Sequence, residues 1–170
     1  MTKNIRKATE TRFRSLSSDF SQCLGERGLL KLALDAVSTL DAEGIRQVGK
    51  RSPEFRPQMM LTLLTYCYSI SIYGSKDIEW AIDYERTIRY ICARTFPDAN
   101  SLRRFRRQNR ALLQQCLVYV MKQTWALKFD EGEADYVGYE WFESEFLEQV
   151  NASAADRLDF AALMDGAESE

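Results

Sequence analysis

Histidine does not occur anywhere in this chain of 170 residues. Its absence removes the usual general base, the usual zinc ligand and every Ser-His or Cys-His nucleophile, which ends most hydrolase hypotheses. Four cysteines, Cys23, Cys67, Cys92 and Cys116, form no C-x-x-C pair, and three of them lie in apolar helical patterns. That is the usage of buried free thiols in a reducing compartment. No period-2 run bounded by turn residues marks a strand. The start, Met1-Thr2-Lys3-Asn4-Ile5-Arg6-Lys7, has no apolar run behind it, so no secretory signal is expected and the cytoplasm is the expected location. The longest apolar stretch, Met59 to Tyr73, is broken by Thr62, Thr65, Ser69 and Ser71 and is too short to span a bilayer. Neither a membrane partner nor a cofactor is expected.

What is present is a chain with 45% hydrophobic and 28% charged residues, enough for one globular domain with a core. The net charge of −2 conceals a division. Residues 1–129 hold 22 Lys and Arg against 12 Asp and Glu, whereas residues 130–170 hold one Arg against 13 acids. A basic body carries an acidic tail, which either shields the basic surface when no polyanion is bound or forms a separate interaction segment.

Periodicity predicts an all-α fold: one compact multi-helix domain over 29–129, an N-terminal arm over 1–28 and an acidic, partly helical tail over 130–170. The arm is anchored only by Ile5, Phe13, Leu16 and Phe20 and carries Arg12 and Arg14. A first helix is predicted from Leu29 to Leu40, after which Gly44 and Gly49 break the pattern. Pro57 suits a helix start, and the helix it opens is apolar on nearly all sides up to a stop at Gly74, as a central core helix should be. Ser75 is predicted to cap a short helix over 76–82, followed by a helix over 84–94 and, after Pro97, a long basic helix capped by Asp98 or Asn100. Short helix, helix and long basic helix in this order make a helix-turn-helix-like unit. In the tail, helical spacing returns at Trp141, Phe142, Phe146, Leu147 and Val150, and a second short helix is predicted over 154–164.

The basic helix carries the sharpest functional signal. Arg103, Arg104, Arg106, Arg107 and Arg110 fall within eight residues, and no acid occurs from 99 to 129. On a helical projection Leu102, Phe105, Asn109, Leu112, Leu113, Cys116, Val120 and Met121 share the inner side, Arg103, Arg107, Arg110 and Gln114 the outer side, and Arg104 and Arg106 flank. A solvated face ordinarily mixes charge signs at i,i+4, and this one does not. Such a row of guanidinium groups suits phosphates and guanine edges, although protein-binding helices carry similar runs.

Three motifs in order add a resemblance. They comprise Arg56, Pro57, Met60, Leu61, Leu64, Tyr66 and Gly74; then Ser75, Lys76, Ile78 and Glu79; then Pro97, Asp98, Ser101, Leu102, Arg104, Phe105, Arg106 and Arg107. Over roughly 29–125 the chain resembles the N-terminal domain of DDE-type insertion-sequence transposases, with Asp98-Ala99 in place of that family's usual Asp-His step. The resemblance implies an all-helical domain that helps to bind transposon-end DNA ahead of a catalytic domain. That catalytic domain sets three carboxylates on a mixed sheet to hold two metal ions, and no such sheet is expected here. The tail acids Asp130, Glu131, Glu133 and Asp135 suit a solvated linker better than a metal site. The expected role is double-stranded DNA binding without catalysis, through Arg103, Arg104, Arg106, Arg107, Arg110, Ser101 and Lys76, with a homodimer or a separate catalytic subunit as further partners. The competing role is a helical protein-interaction or regulatory module in which the acidic tail, with Trp141, Phe142 and Phe146, covers the basic face or docks to another protein.

Overall fold

Ten consecutive residues, Met60 to Ser69, are buried, so the helix that carries them is the axis about which the others pack. In the computed structural model, which describes residues 19–129 and 139–168, the elements are α1 (Ser21–Ser38), α2 (Ala42–Arg51), α3 (Pro57–Ser69), α4 (Ser75–Tyr84), α5 (Arg86–Cys92), α6 (Ala99–Gln108), α7 (Arg110–Phe129) and α8 (Tyr139–Glu168). The fold is all-α, with no strand among the described residues. Around α3 pack α1, α2, α5, α7 and α8, while α4 joins α5, α6 and α8. Proline at N1 starts α3, and leucines 61, 63 and 64 are fully buried along it, each worth about 1.5–3 kcal/mol of removal from water.

Helix α1 reaches back to Ser21, with a kink at Gly25, whose φ of 70° suits only a residue without a Cβ. Phe20 is buried, and the Phe20 amide donates to the Ser69 carbonyl at 3.0 Å, so packing begins well before residue 29. Residues 1–18, with Arg12 and Arg14, lie outside the described residues.

Four local expectations need correction. Gly44 and Gly49 do not break the chain but sit inside α2. Each glycine costs about 1 kcal/mol in a helix. Against that, the Asp41 side chain caps the helix by accepting from the Gly44 amide at 2.5 Å, and Glu43 at the start and Lys50 and Arg51 at the end suit its dipole. A Cβ on Gly44 would fall 2.8 Å from that same Asp41 oxygen. Second, α3 stops at Ser69 rather than at Gly74; the chain turns through Ser71, at φ 67°, and Gly74 has an ordinary φ of −65°.

Third, the expected long basic helix is two helices. Asn109, at φ −125° and ψ 25°, ends α6 because its side chain competes with the helical backbone. Its Nδ2 donates to the Phe105 carbonyl at 2.9 Å, while its Oδ1 accepts from Arg51 Nη2 at 2.8 Å and Nε at 3.2 Å. Fourth, the tail forms one helix, α8, in place of two short ones. Its buried residues Val150, Ala154, Leu158, Ala161 and Asp165 recur every three or four positions, one continuous stripe. Phe146 meets Trp125, Asn151 meets Gln114, and Asp159 meets Arg110, so α8 runs antiparallel to α7.

Arg157, the tail's one basic residue, donates to the Tyr68 carbonyl and lies 4.4 Å over the Phe20 ring. Nearby, Phe160 packs edge-on against Tyr73 at 4.9 Å. These contacts fasten the middle of α8 to the end of α3. No helix among the described residues is long and apolar enough to cross a membrane.

Of the four thiols, Cys67, Cys92 and Cys116 are buried and Cys23 is exposed. Burial pushes the Cys92 and Cys116 thiols up to about 11 and the Cys67 thiol higher still. At about pH 8, where a free thiol is partly ionised, a thiol reagent should label one cysteine per native chain quickly. The other three should react only on unfolding, and Cys23→Ser should abolish the fast phase.

Candidate nucleic-acid interface

The basic segment starts at a helix N-terminus that is fixed twice. Asp98, extended at φ −82° and ψ 169°, caps α6 by accepting from the Ser101 amide at 2.7 Å. Hydrogen bonds from the Ser101 backbone and side chain hold the Asp98 carboxyl below its ordinary pKa. Glu79 of α4 reaches across to accept from the Ala99 amide at 2.9 Å. Leu102 and Phe105 bury the inner face and set the rotation of the helix.

That rotation divides the five arginines into two groups. Arg104 and Arg107 point outward. Arg104 meets Glu54 at 3.2 Å with both side chains more than half exposed, a pairing worth little. Arg107 is exposed, with no ion pair among the described residues. Arg103, Arg106 and Arg110 turn toward α8. Arg110 meets Asp159 at 2.7 Å near the surface. Arg106 is only 5% exposed and forms a buried ion pair with Asp165, and Arg103 Nε lies 3.7 Å from the same carboxylate. Arg106 flanks the row on a helical projection but cannot meet a partner in this arrangement, because α8 fills the space beside it. The expected tail cover exists, but it is made by the acids Asp159 and Asp165. Phe146 packs on Trp125 instead, and the side chains of Trp141 and Phe142, like the acids 130–135, lie outside what is described.

Asp165 is the residue that sequence reasoning missed. One carboxylate oxygen accepts from the Ser75 amide at 2.8 Å; the other accepts from the Ser75 hydroxyl at 2.9 Å and from Arg106 Nη1. Ser75 was the expected cap of α4, yet it is the first residue of that helix, and the capping acceptor comes from 90 residues away. Burial disfavours the Arg106 charge, but the hydrogen bond to Asp165, the Tyr68 hydroxyl and the Asp165 charge together outweigh it and hold the pKa above the ordinary arginine value. The Tyr68 hydroxyl stands fully buried beside this pair. Burial raises its pKa well above the usual phenol value, against the opposing pull of Arg106. No short-range sequence signal announces Asp165; its i−4 and i−7 neighbours Ala161 and Leu158 are the only hint that it faces inward.

On the other side of α6 a cleft of about 240 Å³ opens between that helix and the end of α2. Arg51, Ser52, Glu54, Phe55, Ser101, Arg104 and Phe105 line it. It brings the expected Ser101 and Arg104 together with Arg51, the last residue of α2, and Ser52, its C-cap. Lys76 is exposed one residue beyond Ser75 and does not line the cleft. The outer face of α4 differs in character: Trp80 and Tyr84, 60% and 67% exposed, stack at 4.3 Å. Exposed Lys76, Asp77 and Asp83 lie beside this pair, so the surface is aromatic and of mixed charge rather than an arginine row.

Residues 34–108 match the family model described as a transposase domain (DUF772). This stretch is a transposase domain of that family. The match begins within α1 and ends at Gln108, the last residue of α6, so the transposase domain contains the cleft, Ser75 and four of the five arginines, while Arg110 and all of α8 lie beyond it. No curated protein and no solved structure matches the chain. The matched stretch points to a transposase-related function. Among the described residues no group of three or more His, Cys, Asp or Glu could hold a metal ion.

Breaking one half of the buried pair leaves an uncompensated charge, so Arg106→Met alone should destabilise the fold by about 3–5 kcal/mol. Arg106→Met together with Asp165→Leu should recover only part of that loss, because the buried Ser75 amide and hydroxyl then lose their acceptor. Removing Arg110 and Asp159 should change stability by less than about 1 kcal/mol. Denaturant titration of the variants measures all three.

Proposed function

We propose that this transposase domain binds double-stranded DNA, with the outward face of α6 as the contact surface. The observation that carries the reading is the exposed pair Arg104 and Arg107, on a helix whose outward side has no acid of its own. Helices α4, α5 and α6 supply the order of a helix-turn-helix-like unit, in which the N-terminal half of α6 enters the major groove. Arg107 then meets a phosphate or a guanine edge, and Arg104 exchanges Glu54 for a phosphate. Arg51 and Ser52 across the cleft, with Ser101 at the helix start, follow the backbone, and Lys76 adds a more distant charge. In this reading the DNA is a transposon end. The metal-binding carboxylates for strand transfer come from another segment or subunit, and a homodimer would place two such faces on paired ends.

One set of contacts favours the second reading, a regulatory module. Asp159 and Asp165 of α8 engage Arg110, Arg106 and Arg103, so the tail buries Arg106, draws Arg103 in beside it and pairs Arg110 at the surface. The two readings combine naturally, with Arg104 and Arg107 outward and the other three engaged by the tail.

Binding of the full chain to duplex DNA should weaken with salt at a log–log slope of about −3 to −4, from three or four neutralised phosphates. Arg104→Ala with Arg107→Ala should reduce the slope by about 2. Equal affinity and slope in the variant and the parent chain would refute the assignment to α6.

A further inference from the structure

The surroundings of Asp165 are those of an anion-binding site whose occupant is part of the same chain. Its single negative charge meets the Ser75 amide and hydroxyl at the N-terminus of the ten-residue helix α4, the Arg106 guanidinium, and Arg103 at 3.7 Å. Aligned peptide dipoles, a first-turn amide with no acceptor within its own helix and two guanidinium groups are the elements with which proteins hold phosphate. The Tyr68 hydroxyl adds a donor: it is fully buried beside Arg106 and Asp165 and makes no well-formed hydrogen bond there. One carboxylate leaves that donor unused.

The occupant is also held at a point from which it can leave. Asp165 is the last buried residue of α8 among the described side chains, and the next residue, Gly166, is exposed with nothing within 4 Å of where a Cβ would stand. Ala161 and Leu158, one and two turns earlier, hold the helix independently, as do Arg157 and Phe160. Unwinding the final turn withdraws the carboxylate without dissolving that packing. Ser75, Arg103 and Arg106 belong to the transposase-domain segment, and Asp165 does not.

We propose that Ser75, Arg103, Arg106 and Tyr68 form a phosphate oxyanion site, and that Asp165 closes it until a phosphate group takes its place. The ligand is either a free phosphate ion or a backbone phosphodiester of bound DNA; the second source rests on the DNA-binding reading above, whereas the site itself does not. Occupation by a phosphodiester would release Asp165 and bring Arg103 and Arg106 into the contact surface, so the tail would set the threshold for tight binding.

The test uses the full chain with Asp165→Ala, which empties the site, and inorganic phosphate as the probe, against chloride of equal ionic strength. At ten times the half-saturating concentration, phosphate should raise the Tm of Asp165→Ala by about 3–6 °C beyond chloride. The parent chain and Asp165→Ala/Arg106→Met should gain no such increment. If Asp165→Ala is unfolded in chloride, helical circular dichroism recovered by phosphate, and not by chloride, replaces the Tm as readout; no recovery counts against the site. Asp165→Asn, which keeps the shape and removes the charge, should bind duplex at least tenfold more tightly than the parent if the source is DNA, and unchanged if it is free phosphate. Equal phosphate and chloride effects on Asp165→Ala would overturn the site even where the parent chain binds duplex. Phosphate rescue without duplex binding would keep the site and remove only its DNA ligand.

Discussion

One carboxylate organises the functional end of this fold. Asp165 reaches from the last turn of the C-terminal helix to the first residue of α4 and to two arginines of α6, tying three elements far apart in sequence to a single buried point. A buried charge of this kind must be met fully, because the interior does not screen it. Here it caps one helix and neutralises another's side chain at once. The orientation of α6, and so which arginines face out, follows from that junction together with the burial of Leu102 and Phe105. Without α8 in place, the basic segment would present a different charge to its surroundings.

The helical class and the core were legible from the sequence because both are local properties. Apolar spacing marked α3 as buried on all sides, Pro57 marked its start, and the acid-free arginine run marked α6. What could not be read locally was decided at a distance. Asn109 breaks the basic helix because Arg51, 58 residues away, takes one side of its amide while Phe105 takes the other. The two glycines of α2 look like breaks until the capping bond from Asp41 and the charges at its two ends are taken into account. Arg103 and Arg106 belong to the same run as Arg104 and Arg107, and only the docking of α8 separates them. Periodicity assigns a residue to a face, but it does not say what covers that face.

That separation refines how the charge division of the chain is understood. The acidic tail is not simply a counterweight to a basic body; its long helix places individual acids against individual arginines, from Asp159 on Arg110 to Asp165 on Arg106. The arginines left outward sit beside a cleft lined by Arg51, Ser52 and Ser101, a small polar surface at the end of the transposase-domain segment. The face of α4 around Trp80 and Tyr84, with Lys76, Asp77 and Asp83 beside them, carries no such cluster of guanidinium groups.

The proposal that the outward face of α6 meets DNA is tested most directly by backbone amide shifts of the full chain during titration with a short duplex. Perturbations should concentrate on Ser101, Arg104 and Arg107 and on the opposite wall of the cleft from Arg51 to Phe55. Shifts confined to the Trp80 and Tyr84 face, or no shifts at low salt, would contradict it.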